Sequence, residues 1–141
     1  MSCILRFWGR EFNPKEAIKS VPIVADKIWI LGERRFPESQ TMLKLHNSSG
    51  VNFLVSSADF SETQTQIENA VNFLSIHHSW LESLSSSRGL EGAVIDFGAE
   101  ITSSFSQSYS FPPALLQALG KSNITLGLSV YPCNDEDSEK A

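Results

Sequence analysis

A chain of 141 residues with 41% hydrophobic and 10% aromatic side chains has the composition of one globular domain with a real core, which excludes wholesale disorder. Its 11 basic and 16 acidic side chains give a net charge of −5 with no basic stripe, so direct nucleic-acid binding is not expected. No stretch approaches the ~20 apolar residues of a membrane span, which excludes a membrane-spanning helix.

The first residues, Met1-Ser2-Cys3-Ile4-Leu5-Arg6, run directly into a strand pattern, without the basic start and long apolar stretch of a secretory signal. A cytoplasmic protein is expected, with Cys3 and Cys133 as free thiols, because two cysteines are too few for a disulfide framework or a zinc site. The strand pattern covers Cys3 to Trp8. Asn13-Pro14-Lys15-Glu16 then offers an N-cap, a proline at the first helical position and an early glutamate, which predicts a short helix to about Ser20. Lys27 to Leu31 predicts a strand whose inward face is ambiguous, since Ile28 and Ile30 or Trp29 and Leu31 could equally point to the core. Thr41 to His46 and Val51 to Ser56 predict two strands joined by Asn47-Ser48-Ser49-Gly50, a hairpin signal.

Ser61 and Gln64 predict a capping box for the longest helix, which carries Ile67, Ala70, Val71 and Leu74 and then Trp80, Leu81 and Leu84 on one stripe. Ser85-Ser86-Ser87-Arg88-Gly89 ends it. A strand follows from Ala93 to Gly98, then a serine-rich loop from Thr102 to Ser110, and a helix opened by Pro112-Pro113 with Gly120 near its end. The last strand, from Ile124 to Tyr131, alternates large apolar residues with small or polar ones. The fold predicted is α+β: a mainly antiparallel sheet with helices packed on one face, related to the ferredoxin-like arrangement. It fills residues 1–133, and an acidic tail occupies 134–141, where four acids and one lysine carry −3 and leave −2 for the body.

Alternation sends Leu5, Phe7, Val51, Phe53, Val55, Ala93, Ile95, Phe97, Ile124, Leu126, Leu128 and Val130 to the core face. The opposite face receives Arg6, Trp8, Lys44, His46, Asn52, Asp96, Gly127, Ser129 and Tyr131, a mixture of charge, aromatic rings and small residues. Arg34-Arg35 after Gly32-Glu33 places two cations in a turn, where guanidinium groups can grip carboxylates. Arg6, Trp8, Arg34, Arg35, Lys44, His46, Asp96 and Tyr131 are therefore the candidate partner-binding residues, with Trp8 and Tyr131 as aromatic anchors.

No motif specifies a chemistry. Asp96 and Glu100 could be read as an acid/base pair, but Glu100 lies past Gly98, where the strand is expected to have ended. His77 and His78 are adjacent and diverge by about 100° on a helix, and His46 is alone, so no metal site is expected. No Gly-x-Ser-x-Gly elbow or Gly-rich phosphate loop occurs, so neither an enzyme nor a cofactor is expected.

Cys3-Ile4-Leu5-Arg6, Trp29 with Gly32-Glu33, Gln66-Ile67-Glu68-Asn69-Ala70 with Phe73-Leu74, Ile95-Asp96-Phe97-Gly98, Phe111-Pro112-Pro113 and Leu128-Ser129-Val130-Tyr131-Pro132 together resemble a family of small uncharacterised bacterial proteins. That resemblance implies no catalytic role, and the family is expected to carry a smaller residue where this chain has Trp8. By general type the chain also resembles the immunity proteins of contact-dependent growth inhibition systems. This second resemblance implies a protein that binds and neutralises a toxin domain, expected to be basic and to meet Asp96 and the acids of the tail. The alternative expectation is a small-molecule binding or sensing domain that uses the polar sheet face and the Thr102 to Ser110 loop as its pocket.

Overall fold

Strand β1 (Cys3–Gly9) buries Cys3, Leu5 and Phe7 completely on one side and leaves Ile4, Arg6 and Trp8 half-buried on the other. The computed structural model describes residues 3–132, so Cys133 and the expected tail lie outside the described residues. β1 sits at the middle of a five-stranded sheet ordered β2-β3-β1-β4-β5, with β2 at Lys27–Trp29, β3 at Ser49–Ser56, β4 at Gly92–Glu100 and β5 at Thr125–Tyr131. β1 pairs antiparallel with β3 and β4, β2 pairs antiparallel with β3, and β5 runs parallel to β4.

Helices α1 (Pro14–Ala17), α2 (Thr63–Ser85) and α3 (Pro113–Lys121) connect these strands. β1 and β2, joined through α1, flank β3, and β3 and β4, joined through α2, flank β1. These two interlocked split βαβ units are the ferredoxin-like arrangement, to which α3 and β5 add one parallel strand. The α+β architecture therefore follows the alternation and helical spacing in the sequence.

The side chain of Asn13 caps α1 by accepting from the Glu16 N–H at 3.2 Å, and Pro14 takes the first helical position as expected. α2 starts differently from the predicted capping box. Ser61 lies inside a 3-10 turn, Phe60–Glu62, which the Asp59 carboxylate caps, and Gln64 instead exchanges two hydrogen bonds with the backbone of Ser110. Ile67, Ala70, Leu74, Leu81 and Leu84 of α2 then cover Leu5, Phe7, Phe53, Ile95 and Phe97, and Leu115 and Leu119 of α3 complete the core. Among the described residues no helix is long and apolar enough to cross a membrane.

Four further expectations change. Thr41 to His46 is not a strand of the sheet, and Asn47–Gly50 is not a hairpin turn, because Ser49 and Gly50 already belong to β3. β4 runs through to Glu100, beyond Gly98. Leu128 and Val130, expected inside, are 40% and 50% exposed, because β5 is an edge strand and only its start lies under the helices.

Gln66 ties these pieces together. It is fully buried, its Nε2 donates to the carbonyls of Ala58 and Asp59 at 3.2 and 2.9 Å, and its Oε1 accepts from the Gly98 N–H at 2.9 Å. Thr63 Oγ1 donates to the Gly98 carbonyl at 2.9 Å, so two α2 side chains satisfy the β4 backbone beyond Asp96, where its pairing with β1 ends. Gln66→Leu keeps the volume and leaves the Gly98 N–H and two carbonyls without their partner. It should cost about 3 kcal/mol, read as a lower urea midpoint at an unchanged slope.

Candidate functional site: the open sheet face

The helices cover one side of the sheet, and register places the other side's residues in rows. Trp29, Gly50, Trp8 and Gly92 form the first row, Lys27, Asn52, Arg6, Val94 and Thr125 the second, and Leu54, Ile4, Asp96 and Gly127 the third. Leu54, although in an interior strand, is 45% exposed. The ambiguous strand is thereby resolved: Trp29 faces the open side opposite Gly50, and Ile28 faces the helix side opposite Val51.

Glycines in this face make room for aromatic rings. A Cβ on Gly50 would stand 2.2 Å from Cζ2 of Trp29, one on Gly92 would stand 2.5 Å from Cζ2 of Trp8, and one on Gly98 would stand 2.1 Å from Cε1 of Phe60. Each ring therefore lies down on its glycine instead of projecting into solvent, and covers backbone that the glycine leaves bare. Phe60 also stacks on Tyr131, with centroids 4.6 Å apart and planes 16° apart, and this pair closes one end of the face.

The other end is bounded by the segment between β2 and β3. This segment folds back on itself as an irregular ribbon, held by Gly32 N–H to His46 O at 2.9 Å, His46 N–H to Glu33 O at 2.8 Å and Arg35 N–H to Lys44 O at 2.9 Å, with an isolated bridge pairing Arg34 and Leu45. Gly32 has φ +85°, a left-handed turn position that a side chain would strain. Ser49 anchors the base of this ribbon by accepting from the Leu31 N–H at 2.8 Å. Period-two alternation along the ribbon sends the adjacent Arg34 and Arg35 to opposite sides, so the expected two-arginine grip does not form. Arg34 donates to the Ser39 carbonyl, whereas Arg35 lies over the Phe36 ring and faces the sheet.

Between ribbon and sheet is a basin of about 380 Å³ lined by Arg6, Lys27, Trp29, Arg35, His46 and Asn52, with Phe36, Asn47 and Ser48 at its margins. The Arg6 Nε donates to Asn52 Oδ1 at 3.2 Å, which fixes the plane of the guanidinium. The His46 ring lies 6.2 Å from that of Trp29. Burial, with the positive charges of Lys27 and Arg35, holds the His46 imidazole below its ordinary value, against an opposing pull from Glu33.

Of the expected partner-binding residues, then, Arg6, Arg35 and His46 meet in the basin, and Trp8 lies beside it on the same face. Asp96 and Tyr131 also lie on that face but farther along, and Lys44 belongs to the ribbon outside the basin lining. Asp96 accepts from Ser129 Oγ at 2.8 Å, and its charge adds to the effect of burial in pushing the Cys3 thiol far above its usual range. Asp96 and Glu100 share a face but lie about 13 Å apart along the strand, too far to act as an acid/base pair. The loop expected to form a pocket with the open face contributes only Ser110 to a described cavity, on the helix side with Gln64, Ile67 and Val71. Among the described residues no three His, Cys, Asp or Glu side chains gather as a metal site would need.

Lys27 and Trp29 were not among the expected site residues. Their signal was nevertheless present, since a strand that exposes Lys27 must also expose Trp29 two residues on. No protein family, curated protein or solved structure matches this chain.

Replacing Gly92 by Ala should displace the Trp8 ring and cost about 1–3 kcal/mol. In a Trp8→Ala background the same change should become nearly neutral, so a double-mutant cycle by urea unfolding should return a coupling of about 1 kcal/mol or more.

Proposed function

We propose that this chain is a non-enzymatic binding protein of the immunity type, which neutralises a toxin domain by docking its open sheet face onto it. One observation carries the reading: the helices leave a complete sheet face uncovered, and that face holds Trp8, Trp29 and Arg6 in positions fixed by glycines and by Asn52. Aromatic rings and arginine are the residue types in which interface energy concentrates, and rings already lying flat lose little freedom on binding. The apolar floor of Ile4, Leu54 and Val94 supplies area to bury.

A basic toxin was expected to meet Asp96 and the tail acids, and the tail lies outside the described residues. Asp96 is already engaged by Ser129, and the groups clustered on the open face are cationic. The contact region that suits this face is therefore one with carboxylates opposite Arg6, Lys27 and Arg35, whatever the net charge of the toxin.

Co-expression with the toxin encoded beside its gene tests the proposal. Growth should be restored by the protein, lost with Leu54→Asp, which puts a charge on the open face, and retained with Ile76→Asp, a change at an exposed position on α2. Killing that continues in the presence of the unaltered protein rejects the immunity role, and protection unaffected by Leu54→Asp rejects the open face as its surface.

A further inference from the structure

We infer that the basin between the ribbon and the sheet is a binding site for a small free oxyanion ligand, one bearing a phosphate or carboxylate group, held by Arg6, Lys27 and Arg35. The inference does not depend on toxin binding.

Charge is the first reason. The chain carries −5 overall, yet three permanent cations and a histidine line one concavity that no Asp or Glu lines. The described ion pairs, Lys19–Glu16 and Lys121–Glu82, lie elsewhere, so none of the three cations has a carboxylate within 4 Å among the described residues. Cations brought together without counter-charges repel one another, and a visiting anion relieves that repulsion. After burial, the charges of Lys27 and Arg35 also lower the His46 imidazole, against an opposing pull from Glu33.

Geometry is the second reason. Asn52 holds Arg6 by its Nε, and among the described residues no other side-chain hydrogen bond engages that guanidinium, so its two amino groups are available as a fork for two oxygens. Lys27 projects from β2 beside it, in register with Asn52. Arg35 comes from the ribbon on the opposite wall, so the cations converge on one space from three separate segments. Asn47, Ser48 and Asn52 add neutral polar groups, and the Trp29 and Phe36 rings add apolar surface. A volume of about 380 Å³ falls in the range of small-molecule sites.

Isothermal titration of the full chain at low salt and pH 6.5 with inorganic phosphate and with malonate tests this, the two arms separating phosphate from carboxylate preference. Saturable one-to-one binding of either is expected. Arg6→Gln and Arg35→Gln should each weaken it about tenfold or more, the loss of one charge-assisted hydrogen bond, and Lys121→Gln on α3 should leave it unchanged. Arg35 is exposed on the ribbon, so its replacement does not threaten folding. Saturating ligand should also move the titration midpoint of the His46 imidazole upward by NMR, because an anion offsets the charges of Lys27 and Arg35 that face it alongside Glu33. No saturable binding of either anion overturns the inference. So does equal loss in Lys121→Gln, which would indicate nonspecific attraction. Binding confined to a glutamate-rich peptide, with both free anions inert, would assign the basin to a protein partner and overturn it too.

Discussion

The register of β1 is the constraint on which the open face depends. Cys3, Leu5 and Phe7 have no exposed surface, and Phe7 meets Phe53 edge-on with ring centroids 6.3 Å apart. A slip of one residue against β3 or β4 would drive Arg6 and Trp8 into that core and turn two large apolar side chains into water. The buried side of the strand therefore determines where the working side points. Arg6 is positioned by the burial of its neighbours as much as by Asn52, and the basin inherits its accuracy from the packing of Leu5 and Phe7 beneath it.

An uncovered sheet face with two edges carries an aggregation hazard, and the chain limits it by local means. β2 is three residues long and exposes Lys27, so one edge offers little backbone to a stray strand. The rings of Trp8, Trp29 and Phe60 lie over glycines, which removes the bare backbone that glycine-rich strands otherwise expose and keeps large apolar side chains from projecting. The same arrangement leaves the rings accessible from one side. Protection of the sheet and preparation for a partner are thus two consequences of one pairing of aromatic with glycine.

Much of this was legible in the sequence and some of it was not, for identifiable reasons. Alternation located β1, β3, β4 and β5 and assigned Leu5, Phe53, Ile95 and Phe97 inward, because period two is a local property of a strand with one dry face. It failed for Leu128 and Val130, since alternation says which way a side chain points and not whether a helix reaches far enough to cover it. Gly50 looked like part of a turn. Its reason is instead a ring from a strand about twenty residues earlier, which no local pattern encodes. Gln66 was invisible as a buried residue because its partners, Ala58, Asp59 and Gly98, are brought together only by the fold. Of the candidate site, Arg6, Arg35 and His46 were identified singly, but their convergence depends on the ribbon folding back over the sheet.

The separation of charge within the molecule has a further consequence for how its surfaces divide their roles. On the open face the cations gather between β1, β2 and the ribbon, while Asp96 stands farther along, hydrogen-bonded to the Ser129 hydroxyl. A protein partner laid across the whole face would touch the apolar middle whichever charges it carried, whereas a small anion would reach only the concave end. An occupied basin would present the rest of the face with less positive charge, and a partner with carboxylates at that point would then meet a weaker field. The two sites share Arg6, Lys27, Arg35 and Trp29, so anion and partner cannot be energetically independent if both bind. A ligand that neutralises Arg6 should oppose an acidic partner, and by linkage that partner should lower the affinity for the ligand by the same factor.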